Sequence, residues 1–241
     1  MRKKRVRFGM LLKLAQLVIE VKARYKYTYN MCRDYLYFGD EKPVFTTFAA
    51  DAQIDEERRK TPEFPDEMLE NTSIYRNICR EMLLYDALFL HSAAISVDNE
   101  AYIFTADSGT GKTTHMNLWL DRFGGRAFVI NGDKPILRRI DGKFHVFGTP
   151  WCGKEGLNRN VGVPLKGIGI IKRSEINKAE RLGGREAFLF LLTQTIRPKE
   201  TEYCESFLEN MNSLISDVPV YTLSCNMSPE ACDTAYKAMN C

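Results

Sequence analysis

The stretch from Ala101 to Phe123 constrains the fold more than any other part of this chain. An apolar run, Tyr102-Ile103-Phe104, leads into Ala106-Asp107-Ser108-Gly109-Thr110-Gly111-Lys112-Thr113. A helical stretch from His115 to Phe123 follows and stops at Gly124-Gly125, a natural C-terminal signal. A short apolar strand of this kind is buried and needs neighbouring strands, while the helix needs a sheet face to cover. The same unit therefore asks for a layered α/β architecture.

The eight residues fit the phosphate-loop pattern with Ala106 at the first glycine position. Gly109 and Gly111 let backbone N–H groups surround phosphate oxygens. The Lys112 ammonium can reach the β and γ phosphates, and the Thr113 hydroxyl can hold Mg²⁺. Ser108, Thr110 and Thr114 complete the expected binding set. The positive end of the following helix adds to the attraction for an anion. The implied ligands are ATP, or GTP, and Mg²⁺. A second acidic group is then expected at the end of a nearby strand. Phe128-Val129-Ile130-Asn131-Gly132-Asp133 supplies it, with Asp133 a metal ligand, a general base or a turn aspartate. Lys134 follows, where many motor ATPases place a water-activating glutamate, which disfavours a motor.

The remaining elements read as follows. Leu17 to Thr28 alternates like a strand, Tyr29 to Tyr37 suggests a short helix, and Val44 to Ala49 a second strand. Asp51 to Glu70, with Pro62 and Pro65, reads as an exposed helix and loop. Asn71-Thr72-Ser73 offers N-caps for a helix through Ile74, Ile78, Met82 and Tyr85. Strands are expected at Phe89 to Val97 and Ala101 to Ala106 around Asp98-Asn99-Glu100, and at Ala127 to Ile130. A hairpin at Asp141-Gly142 should join Ile136 to Ile140 and Phe144 to Phe147. Further strands are expected at Gly167 to Ile171 and Val220 to Ser224, and helices at Ala187 to Thr195, Thr201 to Ser216 and Pro229 to Met239. Hairpins among buried runs imply a mixed rather than a purely parallel sheet. The expected division is a small α+β lobe over residues 1–87 and a nucleotide-binding domain over 88–241.

Composition narrows the function. In 241 residues the net charge is only +3, and much of the excess sits in Arg2, Lys3, Lys4, Arg5 and Arg7. Such a block is a solvated tail before it is a nucleic-acid arm. A nucleic-acid-stimulated NTPase is the reading that tail would support. The apolar Met10-Leu11-Leu12 breaks at Lys13 with no cleavage signal, so no secretory leader is expected, and no stretch has the length of a membrane span. Seven scattered cysteines without paired C-x-x-C spacing argue against a zinc site and a disulfide framework, and fit reduced thiols in the cytoplasm.

The order of these parts resembles a known family. A His91-Ser92-Ala93 strand, the phosphate loop, a short helix, an apolar strand ending in Asp133, and Lys166-Gly167-Ile168-Gly169-Ile170-Ile171 are similar to the catalytic domain of HPr kinase/phosphorylase. They are more distantly similar to ATP-type phosphoenolpyruvate carboxykinase, and closer still to uncharacterised bacterial HPr-kinase-like proteins. The likeness spans about residues 88–175. It implies the mixed-sheet kinase core of those proteins, with Lys112 and Thr113 on phosphate and Mg²⁺, Asp133 as an acidic active-site residue, and His91 near the transferred phosphoryl group. Two places depart from the family. Its paired aspartates are Gly132-Asp133 here, and its Glu-Ile-Arg-Gly stretch is Pro164-Leu165-Lys166-Gly167. The phosphorylase activity and HPr as acceptor are therefore not carried over.

Gly148-Thr149-Pro150-Trp151-Cys152-Gly153-Lys154-Glu155-Gly156 is rich in glycine and follows a strand soon after Asp133. It reads either as a flap that brings Lys154 and Glu155 to the phosphates or as a turn with Trp151 packed in the core. His91 could equally be a core histidine. His115 reads as structural. Arg173 reads as a solvated strand end or as a contact to ATP or to a neighbouring subunit's phosphate. The expected activity is phosphoryl transfer from ATP to a hydroxyl, serine foremost, on a peptide, protein or small molecule. The alternative is a nucleotide-binding regulator or slow NTPase. A homo-oligomer is compatible with either, and no membrane partner is expected.

Overall fold

The structure is a computed structural model that describes residues 7–107 and 109–240. Ser108, Arg2, Lys3, Lys4, Arg5 and Cys241 lie outside the described residues. The chain forms two compact units that divide between Met82 and Leu83.

The first unit holds a three-stranded sheet and three helices. β1 (Phe8–Leu14) and β2 (Leu17–Ala23) pair antiparallel through a turn at Ala15 and Gln16, both at positive φ. The sequence reading lacks β1 altogether. Helix α1 (Lys26–Met31) follows, then β3 (Thr46–Phe48), parallel to β2, α2 (Asp51–Lys60) and α3 (Asp66–Met82). The strand expected to run to Thr28 stops at Ala23. The reason lies far away in sequence: the fully buried Glu70 carboxylate accepts from the backbone N–H of Arg24 and Tyr25 at 3.0–3.2 Å, so these amides are taken up by a side chain rather than by a neighbouring strand. Likewise Asn71 and Ser73 are not caps. They lie buried inside α3, which starts at Asp66 behind Pro65, about two turns before the expected Ile74, and the Ser73 hydroxyl donates to the Leu69 carbonyl at 2.9 Å.

The second unit is a mixed sheet covered by helices on both faces. Its strands are β4 (Ala87–Phe89), β5 (Ala93–Val97), β6 (Glu100–Thr105), β7 (Ala127–Asn131), β8 (Ile136–Ile140), β9 (Lys143–Phe147), β10 (Gly162–Arg173), β11 (Lys178–Arg181) and β12 (Val220–Cys225). Its helices are α4 (Lys112–Phe123), α5 (Gly184–Leu191), α6 (Thr201–Asp217) and α7 (Glu230–Met239). The strand order is β4-β8-β9-β10-β6-β5-β7, with β12 beside β10 and β11 beside β12. β4 pairs with β8 across Ala87 to Phe89, so a boundary at 87/88 would cut a strand of this sheet. The fold class is mixed α/β, as the hairpins imply.

Alternation along β6 builds two cores. Tyr102 and Phe104 face Met116 and Trp119 of α4 and Cys232 and Ala235 of α7. Ala101 and Ile103 face Ala187 and Leu191 of α5 and Phe207, Met211 and Leu214 of α6. Trp119 is fully buried, 4.7 Å from the Tyr102 ring and 5.0 Å from the Phe104 ring. Burial of one large aromatic on this scale stabilises by about 2–3 kcal/mol. The two-residue turn Asp98-Asn99 has positive φ at both positions, which suits the twist of the β5–β6 hairpin.

β6, β10 and β12 run parallel, and β7 runs the same way because both it and β6 lie antiparallel to β5. Their C-terminal ends therefore share one edge. The start of β5 lies on that edge too. Open α/β sheets bind ligands there.

Candidate functional site

The described residues singled out in the sequence can be located relative to that edge. The segment read as a phosphate loop leaves β6 and enters α4 at Lys112. Gly109 has φ +77° and Gly111 φ +121°, conformations that side-chain-bearing residues rarely adopt. A Cβ at Gly109 would meet nothing within 4 Å, so the loop surface there is open. The first-turn N–H groups of α4 have no intrahelical partner and point out of the helix start. Lys112 is half-buried, and its ammonium donates to the Ala106 carbonyl at 3.3 Å. Burial lowers its pKa, while the charges of Asp133 and Asp107 act to raise it. Thr113 is partly buried and Thr114 exposed at the same helix start.

Asp133 stands just past the end of β7. Its Oδ1 accepts from His91 Nε2 at 3.1 Å and its Oδ2 from the Lys134 ammonium. Burial would raise its pKa, but the bonds from His91 and Lys134 outweigh that and hold the carboxyl at about 2. It is an ionised oxygen donor.

His91 reaches Asp133 because the run Phe89 to Val97 is two strands rather than one. At the break, Ser92 N donates to the Asp133 carbonyl at 2.9 Å and His91 N to the Gln194 carbonyl at 2.7 Å. The Thr105 hydroxyl donates to the His91 carbonyl at 2.9 Å. These bonds replace ladder pairing and turn the imidazole out, 42 % exposed, toward the carboxylate. The alternative of a core histidine does not describe it.

Beneath Asp133 lies a support that sequence reasoning missed. The fully buried Asn131 accepts from Asp133 N at 2.9 Å and Lys134 N at 2.7 Å. It donates to the Thr149 carbonyl and hydroxyl at 3.0 and 3.1 Å. The Thr149 hydroxyl in turn donates to the Lys134 carbonyl at 2.7 Å. A buried Asn two residues before an Asp was the available signal, since it satisfies the turn's amides.

The 148–156 segment packs against this turn. Trp151 is buried, as the packed alternative requires. Gly153 lies beside the Asp133 side chain, and a Cβ there would approach the Asp133 Cβ to 3.1 Å. Lys154 and Glu155 are exposed and form no ion pair with any described residue, so the structure does not bring them to Asp133 or Lys112. Gly132 is enclosed, with a Cβ there only 2.9 Å from the Cys152 carbonyl oxygen. A second aspartate does not fit without a backbone shift.

His115 is buried, accepts from Trp119 Nε1 at 3.1 Å and packs edge-on against Phe104. Burial lowers its pKa to about 4, so it is neutral and structural. Arg173, at the end of β10, donates to the Gly109 and Thr110 carbonyls of the phosphate loop. Beside that loop lies a cavity of about 530 Å³. Leu118, Ile171, Cys225 and Met227 give it apolar walls, and Asn226 and Arg173 polar ones. Its volume and character suit a small organic ligand.

No helix of the described residues is long and apolar enough to cross a membrane. No group of three or more His, Cys, Asp or Glu residues among them could hold a metal alone. No protein-family model matches the chain, and no curated protein matches it. Among solved structures the chain is similar to the Hpr(Ser) kinase/phosphatase from Coxiella burnetii, at 10% identity and a TM-score of 0.38. That alignment covers 63% of this chain and 90% of the other. It is a distant likeness of fold.

Proposed function

We propose that the second unit binds a nucleoside triphosphate with Mg²⁺ and transfers its terminal phosphoryl group to a hydroxyl acceptor. One observation carries the reading. The Ala106 to Thr113 loop with Lys112, and the Asp133 carboxylate with His91, sit on the same strand-end edge, and the loop borders a cavity large enough for a nucleoside.

In this reading the nucleoside occupies the cavity between Leu118 and Met227. The triphosphate runs over the open loop at Gly109 and Gly111, against the α4 amides and the Lys112 ammonium. Mg²⁺ needs few protein ligands when phosphate oxygens and water complete its octahedron. The Thr113 hydroxyl and the ionised Asp133 are of the right chemistry to hold it, where it would neutralise phosphate charge. Asp133 releases a proton readily and is a poor acceptor of one. Its part is to orient the acceptor hydroxyl through its held geometry; the new O–P bond forms as the bond to the β-phosphate oxygen breaks, the hydroxyl proton passes to an oxygen of the transferred phosphoryl group, and the loop donors offset the charge on the departing diphosphate. His91 fixes one carboxylate oxygen and Lys134 the other. Lys154 and Glu155 have no assigned part unless the 153–156 turn moves. The family likeness in sequence supports the reading of a kinase core and leaves the acceptor, serine or otherwise, open.

A second reading is a nucleotide-binding regulator or slow NTPase. The closed space at Gly132 favours it, since the site has room for one carboxylate only. Calorimetry with ATP and GTP in the presence of Mg²⁺ tests both: binding that Lys112→Ala abolishes is expected, and no heat from either nucleotide refutes both. Terminally labelled ATP incubated with cell extract then separates them. A labelled acceptor supports the kinase, and free phosphate alone supports the NTPase.

A further inference from the structure

We infer that Arg173 is a positioning residue that locks the phosphate loop in its phosphate-receiving conformation. The inference rests on the proposed nucleotide reading and adds a device to it. Arg173 Nη2 donates to the Gly109 carbonyl at 2.6 Å, and Nε to the Thr110 carbonyl at 3.2 Å. Both accepting groups belong to the loop, and the donor belongs to a strand more than sixty residues later.

The stereochemistry of the peptide gives these bonds their effect. In a trans, planar peptide the C=O and the following N–H point to opposite sides. Holding the carbonyls of Gly109 and Thr110 toward Arg173 therefore turns the N–H groups of Thr110 and Gly111 away from it. Thr110 N–H is spent closing the loop on the Asp107 carbonyl at 3.2 Å. Gly111 N–H is left aimed to the far side, as a donor to an anion.

Among the described residues two local bonds also close the loop, Thr110 N–H on the Asp107 carbonyl and the Lys112 ammonium on the Ala106 carbonyl, but neither fixes the Gly109 and Thr110 carbonyls. Gly109 and Gly111 sit at positive φ, where glycine is permissive rather than fixed. Nothing lies within 4 Å of a Cβ built at Gly109, and only Thr114 Cβ, at 4.0 Å, near one built at Gly111. Side-chain packing thus does not define the conformation. A planar guanidinium with two donors on adjacent carbonyls does, because its fork fixes both peptide planes at once. Arg173 forms no ion pair with any described carboxylate, so no acid competes with the two loop carbonyls for its donors. It also lines the 530 Å³ cavity, so the ligand that fills the cavity borders the residue that sets the loop.

The test uses the full chain, with Arg173→Ala and Arg173→Gln against the unaltered protein, and calorimetry with Mg²⁺ and either ATP or ADP. Arg173→Ala is expected to weaken both nucleotides by the same factor, about tenfold, the scale of one lost charge-assisted bond. Arg173→Gln keeps a neutral donor and is expected to recover most of that loss. Melting temperatures should be unchanged, because the residue lies on an exposed strand end. Loss of ATP affinity with ADP affinity retained would mean direct contact with the terminal phosphate and overturn the inference. So would unchanged binding in Arg173→Ala, or no recovery in Arg173→Gln. Failure of the unaltered protein to bind either nucleotide removes the proposed function itself, a separate result.

Discussion

Replacing Asn131 by alanine should unfold the second unit at markedly lower denaturant. The side chain is fully buried and makes four hydrogen bonds, two from the amides of Asp133 and Lys134 and two to Thr149. Alanine leaves both amides and the Thr149 carbonyl without this partner. At roughly 1 kcal/mol net for each bond, with extra cost for groups left buried and unpaired, the loss is about 3–4 kcal/mol. With a urea slope near 2 kcal/mol per molar, the midpoint should fall by about 1.5–2 M. Tryptophan fluorescence is the assay of choice. Both tryptophans, Trp119 and Trp151, are buried in the second unit, so the signal reports that unit alone. A midpoint shift below roughly 0.5 M at unchanged slope would refute the claim that this one side chain holds the turn under Asp133. The same variant, studied well below its midpoint, should also lose the proposed phosphoryl transfer because the carboxylate is no longer aimed.

Three further outcomes follow from the same geometry. His115 has its pKa lowered from 6.5 to about 4, so its neutral form is the folded one, and stability is full above pH 6.5 and declines as pH falls toward 4. That decline amounts to about 3 kcal/mol, and His115→Gln, which keeps an acceptor for Trp119, should flatten the stability profile across that window. Gly148→Ala places a Cβ 1.9 Å from the Arg159 carbonyl oxygen and 2.7 Å from that of Ile130, both backbone atoms, so it should cost more than about 4 kcal/mol and show as a collapsed melting transition. Leu118→Trp should fill the cavity beside the loop and weaken ATP by at least about tenfold at unchanged melting temperature; unaltered ATP affinity would exclude that cavity as the nucleoside site.

Much of the second unit was legible because its strands are short apolar runs between turn residues. The phosphate loop, Asp98-Asn99 and Asp141-Gly142 carry local chemistry that a chain can express without tertiary help. What escaped was set at a distance. β11 reads Lys-Ala-Glu-Arg, with no apolar alternation, and exists as a strand only through pairing with β12. The break at Leu90-His91-Ser92 falls inside an apolar run and is imposed by acceptors from residues 133 and 194. Glu70 stops β2 from 45 residues away. At the site, the charged residues were visible as motif members. Asn131, Thr149 and Gln194 were not, because their work is to satisfy backbone groups that only the folded turn presents. Lys154 and Glu155 drew notice by charge and by proximity in sequence, neither of which fixes a direction in space.

The placement of β10 has a consequence for how the molecule comes into being. Ile168 to Ile170 of this strand are flanked by β6 on one edge and β12 on the other, and its last residue donates to the carbonyls of the Gly109-Thr110 loop. A chain emerging from the ribosome makes Lys112 before Arg173, and Arg173 before Val220. The loop can coil at once, but its clasp arrives only with β10, and β10 is secured on both edges only when β12 is made. Until β12 has been made, the nascent chain should hold nucleotide weakly.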